Sequence, residues 1–274
     1  MNKTKIDWVR GPNGEPGYTW NPITGCLHNC PYCYAKRIAD RFAGKRTEDR
    51  GECLMNTGYP ELTEQLERKI NGKQMKVAFP FGFYPTFHRY RLNEPAKLKK
   101  PAKIFVCSMA DLFGEWVPDE WAEKVYMACQ KADQHQYLFL TKNPKGYRKI
   151  YRSELDYRYY MWFGTSITNE DDMCNKGNDL FCNTGLESKR HAKRFISIEP
   201  LLGEISNESL KNIQYLDWVI IGQQTGPGAV PPKAEWVQII IDQCRAAGIP
   251  VFVKSPLYKQ FPIQEWPEGL EVEK

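Results

Sequence analysis

The chain has 274 residues, 42% apolar and 13% aromatic, enough for a sizeable core and incompatible with a disordered or fibrous chain. Its formal charge of +5 permits an anionic partner without requiring one, and its nine cysteines, irregularly spaced, exclude a secreted disulfide framework and fit a reducing compartment. No apolar run approaches the roughly 18 residues of a membrane-spanning helix, so a soluble, cytoplasmic protein with no membrane partner is expected.

A first strand is expected around 18–20. The loop 20–35 follows, and its stretch "WNPITGCLHNCPYCYAKRIADRF" places Cys26, Cys30 and Cys33 in the pattern C-x3-C-x2-C. A helix should continue through Ala35, Ile38, Ala39 and Phe42 to Gly44. Segments 45–74 and 168–186 read as irregular insertions, of a length that suits lids or binding loops.

Further strands are expected at "KVAF" from Lys76, "KIFVCSM" from Lys103, "QYLFLT" from Gln136, "YMWFGTSI" from Tyr160, "RFISIE" from Arg194, "DWVIIG" from Asp217 and "PVFVK" from Pro250. Each is short and nearly continuously apolar, as parallel strands covered on both faces are. Between them, "VPDEWAEKVYMACQKA" opens with Pro118 and two acids, which suit a helix N-terminus. "KAEWVQIIIDQCRAAGIP" carries Trp236, Ile240, Cys244 and Ala247 on one stripe and stops at Gly248.

Seven or eight βα units imply one α/β domain over 1–274, a parallel (βα) barrel of TIM-like type, partial or complete, with irregular insertions. Polar residues recur at the C-terminal strand ends: Ser108, Asp111, Thr141, Lys142, Ser166, Glu199, Gln223, Gln224 and Lys254. In such barrels that rim binds ligands.

Thiolates are soft ligands for iron–sulfur clusters, zinc or copper(I), and close spacing lets one loop surround one metal centre. The first N–H groups of the following helix would favour a negatively charged thiolate cluster. Three thiolates are one short of the four that normally hold a cubane cluster, which leaves one iron open.

On these residues the sequence resembles the radical S-adenosylmethionine superfamily, whose hallmark is this C-x3-C-x2-C loop after the first strand of a βα barrel, with aromatic Tyr32 before the third cysteine. "TWNPITGC", "CYAKRIA", "FVCSMADLF", "LFLTKNP", "WFGTSI", "FISIEPLLGEI", "DWVIIG" and "VFVK" look like one branch, a phage-associated family of uncharacterised radical-SAM-like proteins distantly similar to spore photoproduct lyase. The likeness covers most of 18–30 and 103–254. Where that family often reads Gly-Gly-Glu-Ser-Gly, this chain has "GQQTG", with Gln224 in place of the acid, and Ser255 replaces a common glutamine.

The resemblance implies a [4Fe-4S] cluster on Cys26, Cys30 and Cys33 whose open iron chelates S-adenosyl-L-methionine. Reductive cleavage of the cofactor would give a 5′-deoxyadenosyl radical that abstracts hydrogen from a substrate. It also implies an electron donor such as a flavodoxin or ferredoxin, and DNA or RNA as substrate. With the cofactor at the barrel mouth, Tyr32, Ser108, Thr141, Ser166 and Glu199 are candidate partners for its polar groups, and Lys254 for its carboxylate.

The alternative is a nucleic-acid-binding module without catalysis, its structural zinc held by Cys26, Cys30, Cys33 and His28. Cys107, Cys129 and Cys244 lie in apolar stretches and are expected in the core. Cys53, Cys174 and Cys182 match no ligand pattern. Basic and aromatic residues interleave in "HRYRLNEPAKLKKPAK" and "TKNPKGYRKIYRSELDYRYY", which suits nucleotides or, equally, a solvated face with tyrosines packed inward.

Overall fold

The computed structural model describes residues 1–42, 58–70, 72–150, 160–184 and 192–270. Eight strands form the main sheet: β1 (Asn2–Thr4), β2 (Gly17–Trp20), β8 (Lys103–Val106), β9 (Gln136–Thr141), β10 (Met161–Ile167), β11 (Lys193–Ile198), β12 (Trp218–Ile221) and β13 (Val251–Val253), in that spatial order. β1 pairs antiparallel with β2 and every other pairing is parallel. The sheet curls into a partial barrel with β1 and β13 at its edges. Near the open seam, the Ser255 N–H donates to Asp7 Oδ2 (3.2 Å).

The strands are apolar on both faces because both are covered. Successive side chains alternate across a strand. Ile104, Val106, Tyr137, Phe139, Phe163, Ile196 and Val219 pack outward in a core shared with the helices Asp119–Gln130 and Ala234–Ala247. Phe105, Leu138, Trp162, Phe195, Trp218 and Phe252 point inward, where Trp8, Val9 and Leu270 close the barrel floor. The Trp8 ring lies 4.9 Å from Phe105 and about 6 Å from Phe195 and Trp218. The floor is therefore dry and aromatic.

Three expectations are corrected. "KVAF" is not a barrel strand: β6 (Lys73–Lys76) ends where it begins and forms an antiparallel ribbon with β5 (Glu67–Ile70). Three apolar residues before Pro80 cannot fill a strand covered on both faces. The described part of the 45–74 insertion holds this ribbon and β4 (Glu61–Leu62), which joins β3 (Ile23–Thr24) and β7 (Thr86–His88) in a small sheet, order β3-β7-β4.

The 168–184 segment is helical. Asn169 caps it by accepting from the Asp172 N–H (3.0 Å), acids fill its first turn, and Leu180 and Phe181 are buried beneath it. In the Ala234–Ala247 helix the buried face is Val237, Ile240, Ile241 and Cys244, so Ala247 lies off the stripe. Gly248 ends that helix in the left-handed region at φ +68°. Cys107, Cys129 and Cys244 are core residues, as expected. Among the described residues no helix is long and apolar enough to cross a membrane.

Candidate functional site

The cysteine loop leaves β2 at the C-terminal mouth of the barrel and is fastened at both ends. Gly25 sits at φ +87°, and its N–H donates to the Met109 carbonyl (2.9 Å). A β-carbon there would lie 2.3 Å from the Tyr84 carbonyl oxygen, so only glycine lets the loop pass. The Cys26 N–H donates to the Phe83 carbonyl (3.2 Å). At the other end the helix Tyr34–Phe42 begins, and its Lys36 N–H donates to Cys33 Sγ (3.3 Å). An otherwise unpaired first-turn donor thus meets a thiol sulfur.

Cys26, Cys30 and Cys33 are free and half-buried. Burial, and then the charges of Asp111, Cys30 and Cys33, push the Cys26 thiol up to about 12. Negative charge on the other two sulfurs thus opposes ionisation of Cys26, and a cation bound among them would reverse that penalty. Three soft donors on one short loop therefore fit an iron–sulfur or zinc centre in kind. Among the described residues, however, no three His, Cys, Asp or Glu side chains already stand together as a metal-holding group.

His28, in the middle of the loop, is committed elsewhere. Its Nε2 is 2.8 Å from Asp111 Oδ2, and its ring meets Trp116 edge-on at 4.8 Å. The Cys3His zinc reading is not favoured: among the described residues His28 does not stand with the three cysteines as a metal-holding group.

Asp111 is buried and also accepts from Thr141 Oγ1 (2.7 Å), the Lys142 N–H (2.9 Å) and the Phe113 N–H (3.0 Å). Burial would raise its pKa, but the bonds from His28, Thr141 and Lys142 outweigh burial and hold it below the usual carboxylate range. This carboxylate ties the cysteine loop to the ends of β8 and β9 and does not reach the mouth.

Strand alternation sorts the remaining candidates. Beyond the inward residues Leu138, Trp162, Phe195, Trp218 and Phe252, the same parity reaches Lys142, Ser166, Glu199, Gly222 and Lys254 at the rim. The Lys254 ammonium holds both Glu199 oxygens. Gly222 stands beside them, where a β-carbon would approach the Glu199 carboxyl to 3.0 Å. Ser166 is the cross-strand neighbour of Ser197. Lys142 donates to the Tyr32 hydroxyl (3.3 Å) with its ammonium 5.3 Å from the ring centre. Burial would lower the Lys142 pKa, but Tyr32 and Cys30 outweigh it and leave it raised.

Thr141 has the opposite parity: it is buried with Phe139 and bonded to Asp111, so it does not face the mouth. Ser108 Oγ donates to Asn21 Oδ1 (3.2 Å), and its carbonyl accepts from the Tyr34 hydroxyl (2.7 Å). Its polar groups brace the loop. Asn21 escaped the sequence reading although it sits in "TWNP", immediately before the cysteines. Burial of its hydroxyl, and then the Glu199 carboxylate, raise the Tyr34 phenol pKa.

The basic and aromatic stretches are largely structural where they are described. Tyr147 is buried with its hydroxyl donating to the Gly164 carbonyl (2.7 Å), and Arg148 and Lys149 are hydrogen-bonded to Asn183 and Gly114. His88 is buried against Thr24, whereas Lys99 and Lys100 are exposed. Residues 151–159 of the second stretch lie outside the described residues. Cys174 and Cys182 are exposed, and Cys53 lies outside the described residues.

Residues 3–261 match the family DUF5131, described as a protein of unknown function. The chain belongs to the DUF5131 family. No curated protein matches this DUF5131 chain. Among solved structures, it is similar to a cysteine-to-alanine variant of spore photoproduct lyase with dinucleoside spore photoproduct, at 10% identity and a TM-score of 0.51, covering 91% of this chain and 79% of that one. Spore photoproduct lyase complexed with dinucleoside spore photoproduct matches at 11% identity and a TM-score of 0.48, over the same shares. At such identity the first likeness concerns the fold, which agrees with the partial barrel of this DUF5131 chain.

Proposed function

We propose that this DUF5131 protein is a radical S-adenosylmethionine enzyme with one [4Fe-4S] cluster on Cys26, Cys30 and Cys33. The observation that carries this reading is the C-x3-C-x2-C loop at the C-terminal mouth of a partial parallel barrel, facing a polar rim above an aromatic floor. When bound, the cluster and S-adenosyl-L-methionine would supply an electron and a 5′-deoxyadenosyl radical for hydrogen abstraction.

The chain's own residues bind, orient and exclude water. Tyr32, Ser166, Glu199 and Lys254 would receive the cofactor's polar groups, with Lys254 the cation for its carboxylate. Lys142, beside Tyr32 and Cys30, would offset negative charge on the cluster loop. Ser108 and Thr141 act behind this layer by fixing Asn21 and Asp111. The Trp8, Trp162, Phe195 and Trp218 floor would keep solvent from a reactive radical.

For the substrate we propose a nucleic acid, by analogy with the dinucleoside photoproduct in the complexes of spore photoproduct lyase. Anaerobically reconstituted protein, reduced with dithionite in the presence of S-adenosyl-L-methionine, is expected to release 5′-deoxyadenosine, more so with its nucleic-acid substrate. Chromatography of the products checks this; colourless protein with stoichiometric zinc and no deoxyadenosine would refute it.

A further inference from the structure

β5 and β6 form a two-stranded sheet of their own, and all four residues of β6 are exposed, Met75 at 51%. Successive residues of a strand point to opposite faces, so both faces of β6 lie open. Lys69 on β5 and Lys73 and Lys76 on β6 are exposed, and none makes an ion pair among the described residues. Glu67 is opposite Lys76 in the register, which leaves Lys69 and Lys73, opposite Gln74 and Ile70, with no acid across the ribbon. A lone two-stranded ribbon is marginal in water, so a partner lying on it would stabilise it.

The ribbon is rooted beside the cysteine loop. The Val77 N–H donates to the Leu66 carbonyl (2.9 Å) and closes its base. The chain then runs to the Phe83 carbonyl, which accepts from the Cys26 N–H, and to Tyr84, whose carbonyl crowds Gly25. Lys76 precedes Tyr84 by eight residues, a span of at most about 29 Å. The Tyr84 side chain is 45% exposed, its ring 5.4 Å from that of Tyr59.

Lysine is depleted at protein interfaces, whereas lysines that neutralise phosphates supply much of the affinity for nucleic acid. An exposed aromatic face near such cations stacks a base without regard to sequence. A ribbon that only kept itself soluble would use the lysines, and it would gain nothing from an exposed tyrosine at its root.

We infer that the ribbon and Tyr84 form an arm that holds a nucleic-acid strand at the mouth, with Lys69, Lys73 and Lys76 on its phosphates and Tyr84 stacked on an unpaired base. The inference rests on the proposed nucleic-acid substrate and specifies its form: unpaired nucleotides, because a base inside a duplex has no free face.

The test measures fluorescence anisotropy of a labelled oligonucleotide with reconstituted protein over a salt series, using single-stranded DNA, single-stranded RNA and the matching DNA duplex. The parent should bind a single strand more tightly than the duplex, and the DNA and RNA arms identify which strand it takes. Lys69→Gln/Lys73→Gln/Lys76→Gln should flatten the slope of log affinity against log salt by about 2. Tyr84→Ala should weaken binding at least about fivefold with the slope unchanged, and Tyr84→Phe should restore it. Iron content, and deoxyadenosine release without nucleic acid, should match the parent in all variants.

A parent that binds a strand, with the lysine variant equal to it in affinity and slope, would overturn the inference alone and leave the ribbon as a surface for a protein. Tighter binding of duplex, or Tyr84→Phe as weak as Tyr84→Ala, would also overturn it. A parent that binds none of the three oligonucleotides would refute the nucleic-acid substrate and the inference with it. Binding needs no turnover, so the anisotropy series decides the matter even if no deoxyadenosine forms.

Discussion

Replacing Cys30 with alanine is expected to remove the iron and reduce deoxyadenosine formation to background while leaving the protein folded. The side chain is half-buried in the loop and belongs to neither core cluster, so its loss opens no cavity in the barrel. Cys26→Ala and Cys33→Ala should do the same, because a three-thiolate set has no ligand to spare. Their effect should exceed the roughly 10–100-fold cost of losing an outer hydrogen-bond partner of a metal ligand. Cys174→Ala, at an exposed thiol beside Ser209, should leave iron content unchanged. Iron and sulfide analysis with circular dichroism checks both. A Cys30→Ala protein that retains its cluster would remove this cysteine from the proposed ligand set.

Asp111→Ala should be the most damaging single change near the loop. It withdraws one acceptor from His28, Thr141 and the backbone N–H groups of Phe113 and Lys142 at once. Buried donors left without partners cost about 1–3 kcal/mol each, and water will reach some of them, so a loss of about 3 kcal/mol is expected.

The pH dependence has a definite sign. Because the folded protein holds Asp111 below the unfolded value of about 3.9, its contribution is complete above that value and disappears as pH falls through the folded pKa. The difference in denaturant stability between parent and variant should therefore stay constant from neutrality to about pH 5 and shrink below about pH 4. Denaturation series across that range check it. A difference that grew on acidification would mean that the carboxyl is protonated in the native state.

The barrel strands were legible because a strand covered on both faces needs a continuous apolar run, and "QYLFLT" or "DWVIIG" can be little else. "KVAF" imitated that signal over too short a length. The 168–184 helix was missed because Asn169 and three consecutive acids read as loop, although the same residues cap and charge a helix start.

The three cysteines were legible as a loop from spacing alone, whereas the ligand-facing rim was not fully so. Thr141 looked like a mouth residue by its place at a strand end, yet it shares the outward parity of Phe139, and it is Lys142 that continues the inward parity of Leu140. Applied strictly, alternation would have separated them. The pairing of His28 with Asp111 joins residues 83 apart, a contact set by the fold and invisible to spacing.

The central claim, that three sulfurs hold a cubane with one iron left for S-adenosyl-L-methionine, is tested most directly by electron paramagnetic resonance of the reduced, anaerobically reconstituted protein before and after the cofactor is added. The account predicts a reduced cubane signal that changes on addition, and a changed signal whose lines broaden when the cofactor's amino or carboxylate group is isotopically labelled. A spectrum indifferent to the cofactor, or the absence of any cubane signal, would contradict it.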